Sequence, residues 1–394
     1  MIFPLRRFQI SAAPAAARRR ALMLGLAALA AGTDFSPAQQ QQRLRIMTGN
    51  ISSGNQQSYD SGEGARIFQG LKPDVVLIQE FNYSTGTAAA IRTFVDTTFG
   101  TSFAYYREGG AQIPNGVISR YPILESGEWD DPKVTNRDFA WARIDIPGDR
   151  DLWAVSVHFL TTSATNRNDE AQALKTFIAG KVPAADYLVI GGDFNCDSRN
   201  EALFTSLAGT VITSAPWPAD KNGNVNTNAS RAKPYDGVYV DTDLNALKTS
   251  VIVGGSTFAN GLVADTRVYT PISEIAPAMA ADSGANQMQH MAVVKDFLLP
   301  PPADPPALPL ISSEWGLHAE PAWLRLTFAS TPGAPYEIQA SGTMAQGNWQ
   351  PLGQITAATG MTPVRILTAG AADGEFSDVL LGVEPRRFYR IVRK

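Results

Sequence analysis

Ten short apolar runs and only three helix-like stretches fill the chain between Arg43 and Leu299. The runs RLRIMT at 43–48 and DVVLIQ at 74–79 open the series, and those at 103–106, 116–119, 139–146, 152–157, 187–190, 237–240, 248–253 and 292–297 continue it. Helical periodicity is confined to 64–71, 87–99 and the amphipathic NDEAQALKTFI at 168–178. Strands this numerous, each rich in apolar and β-branched residues, predict sheets packed face to face and covered outside by helices. With 44% hydrophobic and 18% charged residues, the chain has the apolar surface such a core needs.

Pro300-Pro301-Pro302-Ala303-Asp304-Pro305-Pro306 interrupts the pattern, and repeated proline favours a stiff, extended spacer. Beyond it, short alternating runs at 324–328, 336–340, 349–355, 364–367 and 388–392 predict a small all-β module of sandwich type over 311–394. That module shows no cluster of acids or histidines. Its Trp315, Trp323 and Trp349 are candidates for a surface- or glycan-binding face, although aromatics in small β domains usually build the core.

The first 38 residues read as a secretory signal and lead rather than as part of a fold. Arg6, Arg7 and Arg18 to Arg20 give a positive start, and ALMLGLAALAA at 21–31 is too short to span a bilayer. Ala28-Leu29-Ala30 and Ser36-Pro37-Ala38 offer cleavage sites, so a secreted or periplasmic protein is expected. The single cysteine, Cys196, rules out an intrachain disulfide. Without residues 1–38 the chain keeps 28 basic and 36 acidic residues, a net charge of about −8. A surface of that sign does not draw nucleic acid globally, so a phosphate-bearing substrate needs local cations or a metal.

Polar residues collect at the ends of the predicted strands. VIGGDFNCD puts Asp193 and Asn195 just after an apolar run; MTGNI puts Asn50 after another, VVLIQE puts Glu80 and WAVSVHFL puts His158. Asp236 precedes the run in KPYDGVYV, and His290 precedes the one in MQHMAVVKDF. Any one of these has an ordinary explanation as a turn residue or a solvated strand end. Together they form a set, and it holds two of the three histidines; the third, His318, lies in the β module. The chemistry suits phosphate esters. A hard cation such as Mg²⁺, or Mn²⁺, takes oxygen ligands, which Glu80 with Asn50 alongside supplies. Asp193 can orient and deprotonate a water, Asn195 can donate to a phosphate oxygen, and His290 held by Asp236 can carry positive charge.

The pieces TGN, IQE, NGVISRYPI, NRDFAWARI, SVHFL, GGDFN, YDGVYV and QHMAVV, in that order, resemble the endonuclease/exonuclease/phosphatase superfamily over nearly all of residues 43–299. The resemblance implies an α/β fold: a four-layer α/β/β/α sandwich of the DNase I type at 39–299, with the linker at 300–310 and the small β domain after it. It implies metal association for Asn50 and Glu80, catalytic roles for His158, Asp193, Asn195, Asp236 and His290, and phosphate approach for Asn115 and Arg137. One position departs: the family places Asp before the final histidine, and here it is Gln289, with Asp282 the nearby acid. The expected function is an exported, divalent-metal-dependent phosphodiesterase, a nuclease first, acting as a monomer on a phosphodiester such as nucleic acid. The alternatives are a phosphatase or sphingomyelinase-like phospholipase, and a non-catalytic binding protein. No apolar hairpin or cationic run suggests membrane insertion.

Overall fold

The computed structural model describes residues 41–52, 61–300, 308, 310–316, 322–342, 348–368, 375–378 and 387–394. The leader over 1–38, most of the proline spacer, His318 and the Trp315 side chain lie outside the described residues. The chain divides into two compact units, Gln41–Pro300 and one that takes in Pro301–Lys394.

In the first unit the elements run β1 (Gln42–Asn50), α1 (Glu63–Leu71), β2 (Val75–Gln79), α2 (Ala88–Thr98), β3 (Ala104–Arg107), β4 (Gly116–Ser119), β5 (Ile123–Trp129), β6 (Phe139–Ile144), β7 (Leu152–His158), α3 (Ala164–Lys181), β8 (Tyr187–Asp193), α4 (Ala202–Leu207), β9 (Asp236–Val240), α5 (Thr242–Ala246), β10 (Lys248–Thr249), β11 (Val251–Val253), β12 (Ser256–Phe258), β13 (Leu262–Ala264) and β14 (Ala292–Leu299). One sheet has the order β10-β14-β1-β2-β4-β3, with β13 also on β14; the other has β5-β6-β7-β8-β9.

Strand alternation builds the layers. In β1 and β2, Leu44, Ile46, Val75 and Leu77 face the second sheet and meet Ala142, Ala154, Val189 and Val238. Their neighbours Met47, Val76 and Ile78 face the other way, into a core with Phe68 and Leu71 of α1 and Phe94 of α2. In β8, Val189 points between the sheets, while Leu188 and Ile190 pack under Leu174 of α3 and Leu203 of α4. Period-two apolar sequence on both faces thus demands a layer on each side, and the result is the expected α/β/β/α sandwich. Leu77 is fully buried between the sheets; truncating such a side chain to alanine costs about 2–5 kcal/mol. On the outer face, Trp129, Trp141 and Trp153 of β5, β6 and β7 stack at 5.5 and 5.3 Å, and Lys181 of α3 lies 5.2 Å from the Trp141 ring centre.

Two sequence expectations change. The run at 248–253 is not one strand: β10 pairs with β14, whereas β11 turns back on β12 through Gly254-Gly255. Gly254 has φ 56, and a two-residue glycine turn of that hand matches strand twist, so the hairpin captures the second half. The edge strand β5 escaped the sequence reading because ILESGEW is half polar, with every one of its residues exposed or partly so.

The second unit is all β. Strands β15 (Leu310–Gly316), β16 (Trp323–Ala329), β17 (Pro335–Ser341), β18 (Gln350–Thr356), β19 (Met361–Leu367), β20 (Glu375–Ser377) and β21 (Phe388–Arg393) form two sheets, β15-β16-β19-β20 and β18-β17-β21. Phe328, Tyr336, Ile338 and Ile391 fill its core.

Candidate active site

β1 and β2 run parallel, as do β7 and β8, and β9 runs antiparallel to β8. Their geometry brings the ends named in the sequence to one edge. Asn50 ends β1, Glu80 follows β2, His158 ends β7 and Asp193 ends β8. Asp193 is in register with His158 on one side and with Asp236, the first residue of β9, on the other. His290 lies two residues before β14. Asn115 immediately precedes β4, and Arg137 stands two residues before β6.

The local backbone explains the glycines of VIGGDFN. A Cβ on Gly191 would lie 2.5 Å from Leu77 Cδ1 of the facing sheet. Gly192 has φ 149, and a Cβ there would strike the Val157 carbonyl oxygen at 2.0 Å. Glu80 and Asn195 have φ of 54 and 48. Non-glycine residues seldom take left-handed backbone, and such strain collects at functional sites.

The two sheets meet chemically at one oxygen. Asp193 Oδ2 accepts from Asn50 Nδ2 at 3.1 Å and from Asn195 Nδ2 at 3.2 Å. His158 Nε2 lies 3.4 Å from it and His290 Nε2 3.5 Å. The other oxygen, Oδ1, accepts from the Asn195 backbone N–H at 2.9 Å. His290 Nδ1 faces Asp236 Oδ2 at 3.1 Å, and the Asp236 backbone N–H donates to Thr227 Oγ1. Asn50 Nδ2 also donates to Glu80 Oε1 at 3.3 Å, while Asn50 Oδ1 accepts from Ser52 N–H. Asn50 therefore ties the two carboxylates together and turns its amide oxygen to the backbone.

Burial and neighbours set the charges. Burial raises the Asp193 carboxyl to about 6, against the pull of the His290 charge. Burial also opposes the charge on His290, but Asp236 and Asp193 outweigh it and raise the imidazolium to about 9. His158 moves the other way, well below 6.5, because burial, Arg137 and His290 all disfavour its charged form. The two histidines thus enter neutral pH in different states, one neutral and one charged. Burial pushes Glu80 up as well. Among the described residues, Glu80 Oε2, Asp236 Oδ1 and His158 Nδ1 are buried without a hydrogen-bond partner.

Two residues stand at the flank. Asn115 donates to the Asp138 carbonyl at 2.6 Å and leaves Oδ1 unpaired. Arg137 is 6% exposed and directs its guanidinium to the carbonyls of His158 and Phe159. Gln289 is partly buried beside His290. Asp282 does not replace the missing acid there: it is committed to Arg66 at 2.6 Å and to the Met279 N–H.

Sequence reasoning missed Thr227, which sits in an asparagine-rich loop without periodicity and also accepts the Met291 N–H on its carbonyl. It also missed Gln79, whose amide donates to Ser156 Oγ at 2.8 Å and links the sheets beneath the site. A polar residue inside the otherwise apolar VVLIQ was the available signal.

The metal expectation is consistent with this donor set. Asp193, Asp236 and His290 each offer one atom within 4.8 Å of the others, but an imidazolium gripped by two carboxylates has no lone pair to give. Glu80 keeps a buried oxygen without a hydrogen-bond partner, the kind of donor a hard cation takes.

The family model described as the endonuclease/exonuclease/phosphatase family matches residues 47–257. Among solved structures, an endonuclease/exonuclease/phosphatase from Beutenbergia cavernae is similar over 90% of this chain and 100% of that one, with 15% identity and a TM-score of 0.46. One from Bacteroides vulgatus is similar over 66% of this chain and 100% of that one, with 16% identity and a TM-score of 0.45. Among curated proteins none matches the chain. With more than half its length matched, and with the layers and the shared strand edge described above, the chain belongs to the endonuclease/exonuclease/phosphatase family.

Proposed function

We propose that this protein is an exported phosphodiesterase, a nuclease first, that hydrolyses its diester by attack of a water aimed by Asp193. The observation that carries the reading is the convergence of His158, His290, Asn50 and Asn195 on Asp193 Oδ2 beside Glu80. Divalent-metal-assisted hydrolysis of phosphoesters is the chemistry of the family as a whole. Mg²⁺ is the ion we propose, with Mn²⁺ able to replace it.

Asp193, ionised above about 6, orients the water and takes its proton. His290, still protonated at neutral pH, donates to a phosphoryl oxygen as negative charge builds there. Asp236 holds the His290 ring and its charge. Neutral His158 directs Nε2 at Asp193, so it shares in holding that carboxylate in place. Asn195 fixes both Asp193 oxygens. Glu80, its carboxylate held by Asn50 alongside, would hold the divalent ion, which would supply positive charge to offset the negative charge building on the phosphoryl group. Asn115 is buried, with its amide donating to the Asp138 carbonyl, so it presents no donor to a phosphate oxygen.

Export is supported by the arginine-led apolar segment within residues 1–38. No helix among the described residues is long and apolar enough to cross a membrane. The test is turnover with Mg²⁺ or Mn²⁺ on plasmid DNA, RNA, bis-p-nitrophenyl phosphate, inositol phosphates and sphingomyelin. Cleavage of DNA or RNA above the other substrates supports the nuclease reading. Preference for sphingomyelin or inositol phosphates replaces it, and inactivity on every ester removes catalysis altogether.

A further inference from the structure

The backbone of residues 158–160 is gripped at consecutive groups. Arg137 Nε donates to the His158 carbonyl and Nη2 to the Phe159 carbonyl at 3.0 Å. The Phe159 carbonyl also accepts from Asn195 Nδ2 at 2.9 Å, and the Phe159 N–H donates to the Asp193 carbonyl at 2.8 Å. The Leu160 N–H donates to both oxygens of Glu170 at 3.0 and 3.1 Å. The Leu160 carbonyl accepts from Arg167 Nη1 at 3.1 Å.

Arg137 is the unexpected member. A guanidinium has five N–H donors in a planar fork. Three of them here end on protein acceptors, the third on Asn136 Oδ1 at 3.0 Å. The edge formed by Nε and Nη2, which would grip two oxygens of a phosphate, is spent on two successive main-chain carbonyls. The side chain is buried, so its charge is balanced from within the protein, with Asp193, Glu170, Asp131 and Glu80 all favouring it.

Glu170 and Asp131 lie next to this clamp. Glu170 is fully buried on α3, and Asp131 is 6% exposed just after β5. Burial raises both carboxyls, Glu170 to about 8; the Asp131 charge raises Glu170 further, whereas a hydrogen bond from Glu170 favours the ionised form of Asp131. Glu170 thus keeps its proton at neutral pH together with its grip on Leu160, and Asp131 favours the charge on Arg137.

We propose that Arg137 and Glu170 are positioning residues: they clamp residues 158–160 from two sides and hold the His158 imidazole against Asp193. This rests on the phosphodiesterase reading of the site. Lysine in place of Arg137 keeps the charge but cannot bridge two carbonyls with a rigid fork. Glutamine in place of Glu170 mimics the neutral acid, with an oxygen for Leu160 N–H and an amide for Asp131; alanine supplies neither.

The experiment compares wild type with Arg137→Lys, Glu170→Ala and Glu170→Gln. It reads kcat and KM on bis-p-nitrophenyl phosphate at fixed Mg²⁺, the dissociation constant of inorganic phosphate by calorimetry, and amide exchange at Leu160. Misplacing a reacting group by about 1 Å costs about 10²-fold. Arg137→Lys and Glu170→Ala are therefore expected to lower kcat by about that factor, with KM and phosphate affinity almost unchanged. Glu170→Gln retains wild-type kcat and Leu160 protection, whereas Glu170→Ala loses both. The proposal is overturned if Arg137→Lys raises KM and weakens phosphate binding while kcat holds, since Arg137 is then a phosphate ligand. It is equally overturned if Glu170→Gln is as impaired as Glu170→Ala. If Arg137→Lys does not fold, the two Glu170 variants decide. A wild type inert on every diester brings down the phosphodiesterase reading instead, and Leu160 exchange in the Glu170 variants still tests the clamp without turnover.

Discussion

Asp236→Asn removes a charge while keeping a side chain of the same shape, and so tests what keeps His290 protonated. Asp236 Oδ2 lies 3.1 Å from His290 Nδ1 and Asp193 Oδ2 lies 3.5 Å from Nε2. Burial works against the imidazolium, yet these carboxylates carry it to about 9 from the usual 6.5. That displacement amounts to about 3 kcal/mol in favour of the charged form. Because the folded value is raised, this contribution is complete below pH 6.5 and is lost as pH rises through about 9. Asparagine leaves burial as the largest influence, so the folded value falls and the contribution disappears. Two measurements follow, both in EDTA so that no metal adds to the balance. An NMR titration of the histidines follows His290 directly, and urea unfolding compares stability at pH 6.5 and 9.5. Wild type is expected to lose about 3 kcal/mol more than Asp236→Asn between those values. The comparison cancels the other groups that titrate in the window, Glu108, Glu170 and Lys295, all near 8. Turnover at neutral pH should fall by about 10²–10⁴-fold. Equal pH slopes in the two proteins, or a His290 titration unmoved by the substitution, would refute the carboxylate–imidazolium account.

Stripping divalent ions with EDTA is expected to abolish turnover, and Mg²⁺ or Mn²⁺ to restore it; full turnover in chelator excludes a metal role. A chain ended at Pro300 should keep its activity on bis-p-nitrophenyl phosphate, since the first compact unit ends there. A product that is folded by circular dichroism yet inert would mean that the β unit completes the site. Gln289→Ala should cost less than His290→Ala, and Gln289→Asp should tighten Mg²⁺ binding by adding a negative charge. An inactive wild type that gains turnover through Gln289→Asp would mark Gln289 as the defect.

The sequence carried the site further than it carried the contacts. Asn50, Glu80, His158, Asp193, Asp236 and His290 were legible because each sits at the end of a local apolar run, and strand ends are set by short-range pattern. Their meeting at one edge was not legible from pattern alone: it depends on β1 and β2, and β7 and β8, pairing in parallel across distant stretches of chain. The resemblance supplied that step. Arg137 shows the limit. The motif NRDF gives a cation near the edge, but whether its fork meets a phosphate or two carbonyls depends on residues 158 and 159, about twenty positions away. Thr227 was hidden for the same reason, since its value lies in accepting the Asp236 N–H across a loop. The left-handed backbone of Glu80 and Asn195 was hidden too, because neither is glycine and no local signal demands it.

The charge balance of the edge leads to a last prediction, one that runs against intuition. At pH 8 Asp193 has ionised and His290 keeps its proton, while His158 is neutral. Glu80, Asp193 and Asp236 then set three acids against the His290 imidazolium, while the Arg137 charge is balanced by Asp131 beside it. Without a metal the site carries a net negative charge and repels a singly charged diester. A divalent cation on Glu80 offsets that charge, which gives electrostatic substance to metal dependence beyond any role in the chemical step. Glu80→Gln removes one acid from the metal-free balance. One unit charge at about 5 Å and an effective dielectric of about 20 is worth about 3 kcal/mol, so the gain in diester affinity is bounded near 10²-fold. In EDTA, Glu80→Gln should therefore bind dimethyl phosphate more tightly than wild type, as read by calorimetry. In saturating Mg²⁺ the order should reverse, because the variant has lost the anchor for the ion. Weaker binding by the variant in EDTA would show that Glu80 serves the ligand through shape or hydrogen bonding, and the electrostatic reading of the edge would fall.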